Sequence, residues 1–373
     1  MMEKRRSFIK KGAAAFGAFS LASTSARMPS GSMTNYTKDA GIQLCLAYFW
    51  GPESRKIALS KQMGVHGAVG GISPKMVGIS EKKNYEFEVI KAVKERWQKE
   101  GLQLKVIEGP PSLYTKTKLG LPGRDEEIDN FITFIRNIGT LGIDTVCHNW
   151  MPVIGWTRSR VDKQSRGGAM VSAFDIENIK GQDPYTEYGT LTHKKMWDNM
   201  SYFLKAVIPE AEQAGVKLAL HPDDPPVDSI RGIPRIMTSV EAFKKMLDLY
   251  PSPSNGITFC QGSFASMGGP DNPVDIPKAI KYFGERGVIH FVHFRDVKGH
   301  KERFEETFHD AGKTDMHAAM QAYYDVGFKG PMRPDHVPTM HGDSNEHPGY
   351  STIGTLYAIG YIRGLIEAVA KNA

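Results

Sequence analysis

The chain has 373 residues, of which 40% are hydrophobic and 24% charged, with a formal net charge of +6 at pH 7. That is an ordinary globular composition with enough apolar material for a large core, and it excludes a fibrous, low-complexity or disordered protein. Residues 1–26 hold five of the basic side chains and one Glu, so the remainder carries 42 basic and 40 acidic groups, a balance of +2 with no basic excess pointing to nucleic acid.

In chain order, the first feature is Arg5-Arg6 followed by Ser7, Phe8, Ile9 and Lys10, then an Ala/Gly-rich run from Gly12 to Leu21 that ends in small residues near Ala26. This reads as a twin-arginine export signal over residues 1–26, followed by a linker (27–40) and a catalytic domain (41–373). The leader's apolar run is too short to span a bilayer, and no later stretch reads as long enough. The mature protein is therefore expected without a membrane span and in the periplasm, or in the cytoplasm if the leader is not used. Cys45, Cys147 and Cys260 are too few and uneven for a disulfide framework. They fit a protein that folds in a reducing compartment and is exported already folded, a route suited to a chain that takes up a cofactor first.

Beyond the leader, a glycine and an apolar residue announce one β-rich run after another. The pairs begin at Gly41, Gly64, Gly101, Gly142, Gly215, Gly256, Gly287 and Gly327. Most follow a segment with apolar residues at three- and four-residue spacing, such as EFEVIKAVKERWQKEG, where glycine is the expected helix cap. The runs themselves are IQLCLAY, GAVGGI, LQLKVIE, DTVCHNW, VKLALH, ITFC, VIHFVHF and GPMRPDH. They are short and apolar on both faces, as parallel strands covered by helices must be. Eight such units predict an α/β fold, a (β/α)8 TIM barrel, with the long connection from Met151 to His193 as a cap over its mouth. An open doubly wound sheet is the alternative; no G-x-G-x-x-G follows the first strand, which removes its dinucleotide-binding version.

In a barrel of this kind, chemistry gathers at the C-terminal ends of the strands. Strand five ends at His221, strand six at Cys260, strand seven near His293, and strand eight runs into Asp335-His336. Alternation along HFVHFRD puts His290 and His293 on opposite faces, and His293 nearer the rim. Each residue alone has an ordinary role: a small buried thiol, a hydrogen-bonded histidine, a carboxylate paired with Arg333. Four coordinating types at four successive strand ends together predict a divalent-metal site. Asp223 and Asp224, before two prolines, read as turn formers, and the role of His309 and Asp310 is left open.

At this point GRDEEIDNF, CHNWMPVIGWTRS, HPDDPP, TFCQGS, HFRDV, RPDH and PGYS, in this order over nearly all of the chain after the leader, resemble the metal-dependent mannonate dehydratases. The resemblance implies a hydro-lyase that removes water from D-mannonate or a related hexonate to give 2-keto-3-deoxy-D-gluconate. It implies Mn²⁺, or else Fe²⁺, on His221, Cys260, His293 and Asp335, with His336 and Tyr350 as the acid/base pair. Two positions depart from the family pattern: Val337 stands where Gly is usual, and His148 where Tyr is frequent. The reaction takes a proton from the carbon beside a carboxylate, so a cation and arginines must stabilise the charge that builds there. Arg158, Arg295, Arg333 and Asn149 are the candidates to hold the sugar acid, with His336 as base and Tyr350 as acid. The competing readings are a metal-dependent sugar isomerase or epimerase and a non-catalytic periplasmic sugar-acid binder. The expected partner is a small sugar acid, and a homodimer is compatible with the sequence.

Overall fold

The computed structural model describes residues 40–371, all within one compact unit, Tyr36–Ala373. The leader read over residues 1–26 and the linker up to residue 39 lie outside the described residues. In chain order the elements are β1 (Gln43–Ala47), α1 (Ser54–Gln62), β2 (Gly67–Gly70), α2 (Phe87–Lys99), β3 (Gln103–Glu108), α3 (Thr115–Leu119), α4 (Arg124–Thr140), β4 (Thr145–Asn149), β5 (Arg160–Gln164) and β6 (Met170–Asp175). They continue with α5 (His193–Ala214), β7 (Lys217–His221), β8 (Ser229–Ile230), β9 (Ile233–Pro234), α6 (Val240–Leu249), β10 (Asn255–Cys260), α7 (Gln261–Ser266) and α8 (Ile276–Glu285). The last are β11 (Ile289–Phe294), β12 (Val297–His300), β13 (Arg303–Glu306), α9 (Met316–Asp325), β14 (Pro331–Pro334) and α10 (Thr352–Lys371).

Eight strands close into one parallel barrel in the order β1-β14-β11-β10-β7-β4-β3-β2, the (β/α)8 fold expected from the glycine-led runs. The helices explain themselves locally. α2 turns Val89, Ile90, Val93 and Trp97 onto the barrel, the stripe a 3.6-residue period dictates. Ser239, Asp275 and Asp315 each accept a backbone N–H from three residues on, starting α6, α8 and α9. Gly215 ends α5 at φ +67°, the conformation that the sequence reading anticipated. Gly256 is different: a Cβ there would lie 2.3 Å from the His290 ring and 2.5 Å from the Val288 carbonyl, so this glycine is fixed by close approach and not by φ. Inside the barrel, Cys45, Val69, Val106, Cys147, Ala219 and Phe291 form a dry layer beneath the mouth.

Two expectations need correction. The cap is built from two connections. After β4 the chain makes β5 and β6, after β11 it makes β12 and β13, and these join in one antiparallel sheet of order β12-β13-β6-β5. Phe304 on β13 pairs with Phe174 on β6, and their rings pack 5.6 Å apart. An isolated bridge from Met170 to Thr339 ties this sheet to the segment after β14. Second, α10 is long and apolar enough to cross a membrane by length and composition, contrary to the expectation that no later stretch would be. Its Ile359, Ile362, Ile366 and Val369 are buried in the main core, and that explains its apolar character.

The barrel also buries imidazoles that cannot easily charge. Burial pushes His290 and His309 down to about 4. Nδ1 of His290 bonds to the Leu218 carbonyl and Nε2 of His309 to the Phe294 carbonyl. Between pH ~4 and ~6.5 the unfolded chain therefore binds protons that the folded chain refuses, so stability is full above this window and falls as the pH drops through it. Denaturant midpoints measured from pH 7 to pH 4.5 should decline, and His290→Gln should make that decline shallower; an unchanged slope would show that these imidazoles do not control it.

Candidate metal centre and active-site cleft

Strand register assembles the site. Asn149 of β4 lies beside His221 of β7, Cys260 of β10 beside His293 of β11, and His293 beside Arg333 of β14. Because parallel strands end together at the mouth, residues far apart in sequence meet at one level. Ligand atoms of His221, Cys260 and His293 all lie within 4.8 Å of one another. The Asp335 carboxylate joins them, 3.8 Å from the Cys260 sulfur and 3.7 Å from His293 Nδ1.

The donor set suits a divalent cation. Nδ1 of His221 lies 2.7 Å from the Pro222 carbonyl, which can only accept, so Nδ1 carries the proton and Nε2 keeps its lone pair. Burial also lowers the His221 pKa, which favours the neutral ring that a ligand needs. His293 Nε2 is buried without a hydrogen-bond partner, and the nearest carboxylate oxygen, on Glu108, is 3.5 Å away. An orphaned imidazole nitrogen, a lone pair fixed by its neighbour, a buried thiol and a carboxylate within a few ångströms are what a metal site presents.

Around this set is a sealed ionic network. Arg333 donates to both Glu108 oxygens, at 3.2 and 2.9 Å, and to Asp335 Oδ1 at 2.6 Å. Arg295 donates to Asp335 at 2.8 Å, Glu306 at 2.7 Å and Asp224 at 2.8 Å. Arg158 donates to Asp224 at 2.5 and 3.0 Å and to Glu306 at 2.5 Å. Burial would raise the Asp335 carboxyl, but Arg333, with His336, His293 and Arg295, holds it well below the usual carboxylate range. Burial acts the same way on Glu108, where Arg333 and His293 win and bring it to about 2. Asp224 and Glu306 are likewise held low against burial, chiefly by Arg158 and Arg295.

Above the network lies a cleft of ≈ 430 Å³, lined among others by Phe49, Trp50, Trp156, His221, His293, Arg333, Asp335, His336, His347 and Tyr350. His336 sits at φ +41°, unusual for a non-glycine residue, with Nδ1 2.9 Å from Glu306. The Tyr350 hydroxyl donates to Asp335 at 3.3 Å, and burial beside that carboxylate raises its pKa well above the ordinary phenol value. The rings of His336 and Tyr350 meet edge to face, 5.7 Å apart.

The sequence-chosen residues therefore gather, with exceptions. His221, Cys260, His293, Asp335, His336 and Tyr350 converge, and Arg333 and Asn149 line the cleft. Asn149 Oδ1 accepts from Lys118 Nζ and from Met151 N, which commits its oxygen and leaves the NH₂ as the donor. Arg158 and Arg295, expected to hold substrate, lie behind the cleft wall with their guanidinium groups committed to carboxylates. Asp223 and Asp224 are more than turn formers: Asp223 accepts from Arg235 and from Met237 N, and Asp224 anchors Arg158 and Arg295. Asp310 pairs with Arg166 at the surface, away from the mouth. Sequence reasoning passed over Glu108, although its place at the end of a barrel strand is the signal that selected the others. It also passed over Glu306, which no strand-end rule marks. His148 lines the cleft, its pKa lowered to about 3 by burial and by Lys118, and Val337 is buried, with its N–H bonded to the Gly349 carbonyl.

A closed parallel barrel with four candidate donors gathered at its mouth, beneath His336 and Tyr350, has the architecture of a (β/α)8 enzyme. The sequence matches the family described as D-mannonate dehydratase (UxuA) over residues 42–187 and 184–373. It is 36% identical over 356 residues to mannonate dehydratase 2 of Halalkalibacterium halodurans, spanning 88% of this chain and 100% of that one. A solved structure of mannonate dehydratase from Streptococcus suis serotype 2 superposes with a TM-score of 0.81 at 36% identity, covering 89% of this chain and 94% of that one. A D-tagatose 3-epimerase-like protein, at 13% identity and a TM-score of 0.58, shares the fold alone. The chain belongs to the mannonate dehydratase family and is a carbon–oxygen lyase, a hydro-lyase.

The ionic network makes a contrast that can be measured. Asp224→Ala leaves Arg158 and Arg295 short of a buried counter-charge and should destabilise by about 3–5 kcal/mol. Asp310→Ala removes an exposed pair and should change stability by less than about 1 kcal/mol. Equal losses in denaturant unfolding would show that the buried network is not under tension.

Proposed function

We propose that this protein dehydrates D-mannonate, or a closely related hexonate, to 2-keto-3-deoxy-D-gluconate, with one divalent cation, Mn²⁺ in preference to Fe²⁺, on His221, Cys260, His293 and Asp335. The observation that carries this reading is the convergence of those four side chains beneath His336 and Tyr350. The carboxylate and an oxygen-rich substrate favour Mn²⁺; the thiolate keeps Fe²⁺ in contention. When bound, the cation supplies Lewis-acid stabilisation of negative charge on the substrate's carboxylate end.

The chain's own residues do the rest. The Asn149 NH₂ lines the cleft and is placed to orient the acid, while Arg333, bonded to Glu108 and Asp335, gives the cleft wall its positive charge. With Nδ1 engaged by Glu306, His336 offers Nε2 as the base for the carbon-bound proton. Tyr350, whose pKa burial keeps high, stays protonated and can give its proton to the departing hydroxyl. Trp50, Trp156 and Phe49 give the cleft an aromatic rim. Arg158 and Arg295 act from behind, as the counter-charges that fix Asp335 and Glu306. The leader motif supports action in the periplasm after twin-arginine export.

Metal-loaded protein incubated with a panel of hexonates should release a 2-keto-3-deoxy acid with loss of one water by mass spectrometry, and D-mannonate should be the preferred substrate. His336→Gln and Tyr350→Phe should each lower kcat by at least about 100-fold. Chelation should abolish turnover, and Mn²⁺ should restore it. A product of unchanged mass, or full activity in both variants, would overturn the reading.

A further inference from the structure

A conspicuous feature near the acid/base pair is a carboxylate that does not come from the barrel. Glu306 is the last residue of β13, in the cap sheet, yet its side chain is buried and its Oε1 lies 2.9 Å from His336 Nδ1. It has little freedom to be elsewhere. Arg158 holds Oε1 at 2.5 Å, Arg295 holds Oε2 at 2.7 Å, and both guanidinium groups also grip Asp224. The backbone at this point is pinned as well: Glu306 pairs with Val297 on β12, and the Thr307 hydroxyl donates to the Asp296 carbonyl.

An ionised carboxylate can only accept a hydrogen bond, so a histidine facing it at this distance must present Nδ1–H. In the neutral ring the other nitrogen, Nε2, 3.7 Å from Asp335 Oδ1, then carries the lone pair. His336 itself sits at φ +41° and is packed edge to face between Trp156, at 5.4 Å, and Tyr350, at 5.7 Å. A backbone in this region persists where the surrounding structure over-determines it.

We infer that Glu306 is the positioning residue for His336: from the cap sheet it fixes the ring and its Nδ1–H tautomer, so that the cap completes the active site as well as covering it. The proposal rests on the role of His336 as base given under Proposed function, but the tautomer can be read without any turnover. The same arrangement gives Arg158 and Arg295 a purpose that substrate binding does not, since they immobilise the orienting carboxylate.

Two measurements test this. In [¹⁵N]His-labelled protein loaded with diamagnetic Mg²⁺, and with His336 assigned by its loss in His336→Gln, the ring should be the Nδ1–H tautomer. Glu306→Gln should shift it toward Nε2–H or into exchange, because an amide can turn its NH₂ to the ring. On D-mannonate, Glu306→Gln and Glu306→Asp should each lower kcat by about 100-fold while KM and bound metal change by less than about threefold. Lys163→Ala, which removes a surface partner of the neighbouring Glu305, should leave kcat within about twofold. An unaltered His336 tautomer in Glu306→Gln, or wild-type kcat in both Glu306 variants, overturns the inference. Wild-type protein with no hexonate turnover would instead overturn the proposed reaction, and the tautomer would still decide the role of Glu306.

Discussion

The constraint on which this site depends is the burial of unlike charge. Arg158, Arg295 and Arg333 face Glu108, Asp224, Glu306 and Asp335 at the mouth of the barrel, nearly all of them out of contact with water. Ions removed from water each cost several kcal/mol unless neighbours compensate them. Three guanidinium groups against four carboxylates leave one negative charge, and Cys260 adds a second if it ligates as a thiolate. A divalent cation among His221, Cys260, His293 and Asp335 would bring the cluster to neutrality.

The barrel and the cap divide the work. Barrel strands deliver the candidate metal donors and Arg333, because parallel register brings Asn149 beside His221, Cys260 beside His293 and His293 beside Arg333. The cap sheet brings Glu306, and the segment leading into it brings Arg158. Asp224, just beyond β7, ties both arginines together. Two structures of different origin are thus joined by ion pairs that neither could satisfy alone, and His336 and Tyr350 lie along the seam.

How far the sequence disclosed this follows the same division. His221, Cys260, His293 and Asp335 were legible because each ends an apolar parallel strand, a place where a polar side chain calls for explanation. Glu108 obeys the same rule and could have been chosen by it. Glu306 could not: it lies in RFEETF, a short charged stretch that forms a local hairpin strand with β12, and nothing in that pattern shows that its side chain turns in to meet His336. Arg158 and Arg295 were chosen by their chemistry, but sequence does not show whether a guanidinium group faces a ligand or a buried carboxylate. Asp224 was masked by its prolines, which made a turn a sufficient explanation. The cap was visible as an overlong loop after β4; its second half, between β11 and α9, is also overlong for a βα connection and carried the same signal.

The most direct measurement is X-ray absorption at the metal edge of purified, Mn²⁺-loaded protein, in wild type and in Cys260→Ser. One ion per chain with nitrogen, oxygen and a single sulfur neighbour is expected, and the sulfur signal should vanish in the variant. An ion surrounded only by oxygen and nitrogen in the wild type, or no stoichiometric ion at all, would contradict a centre built on these four side chains.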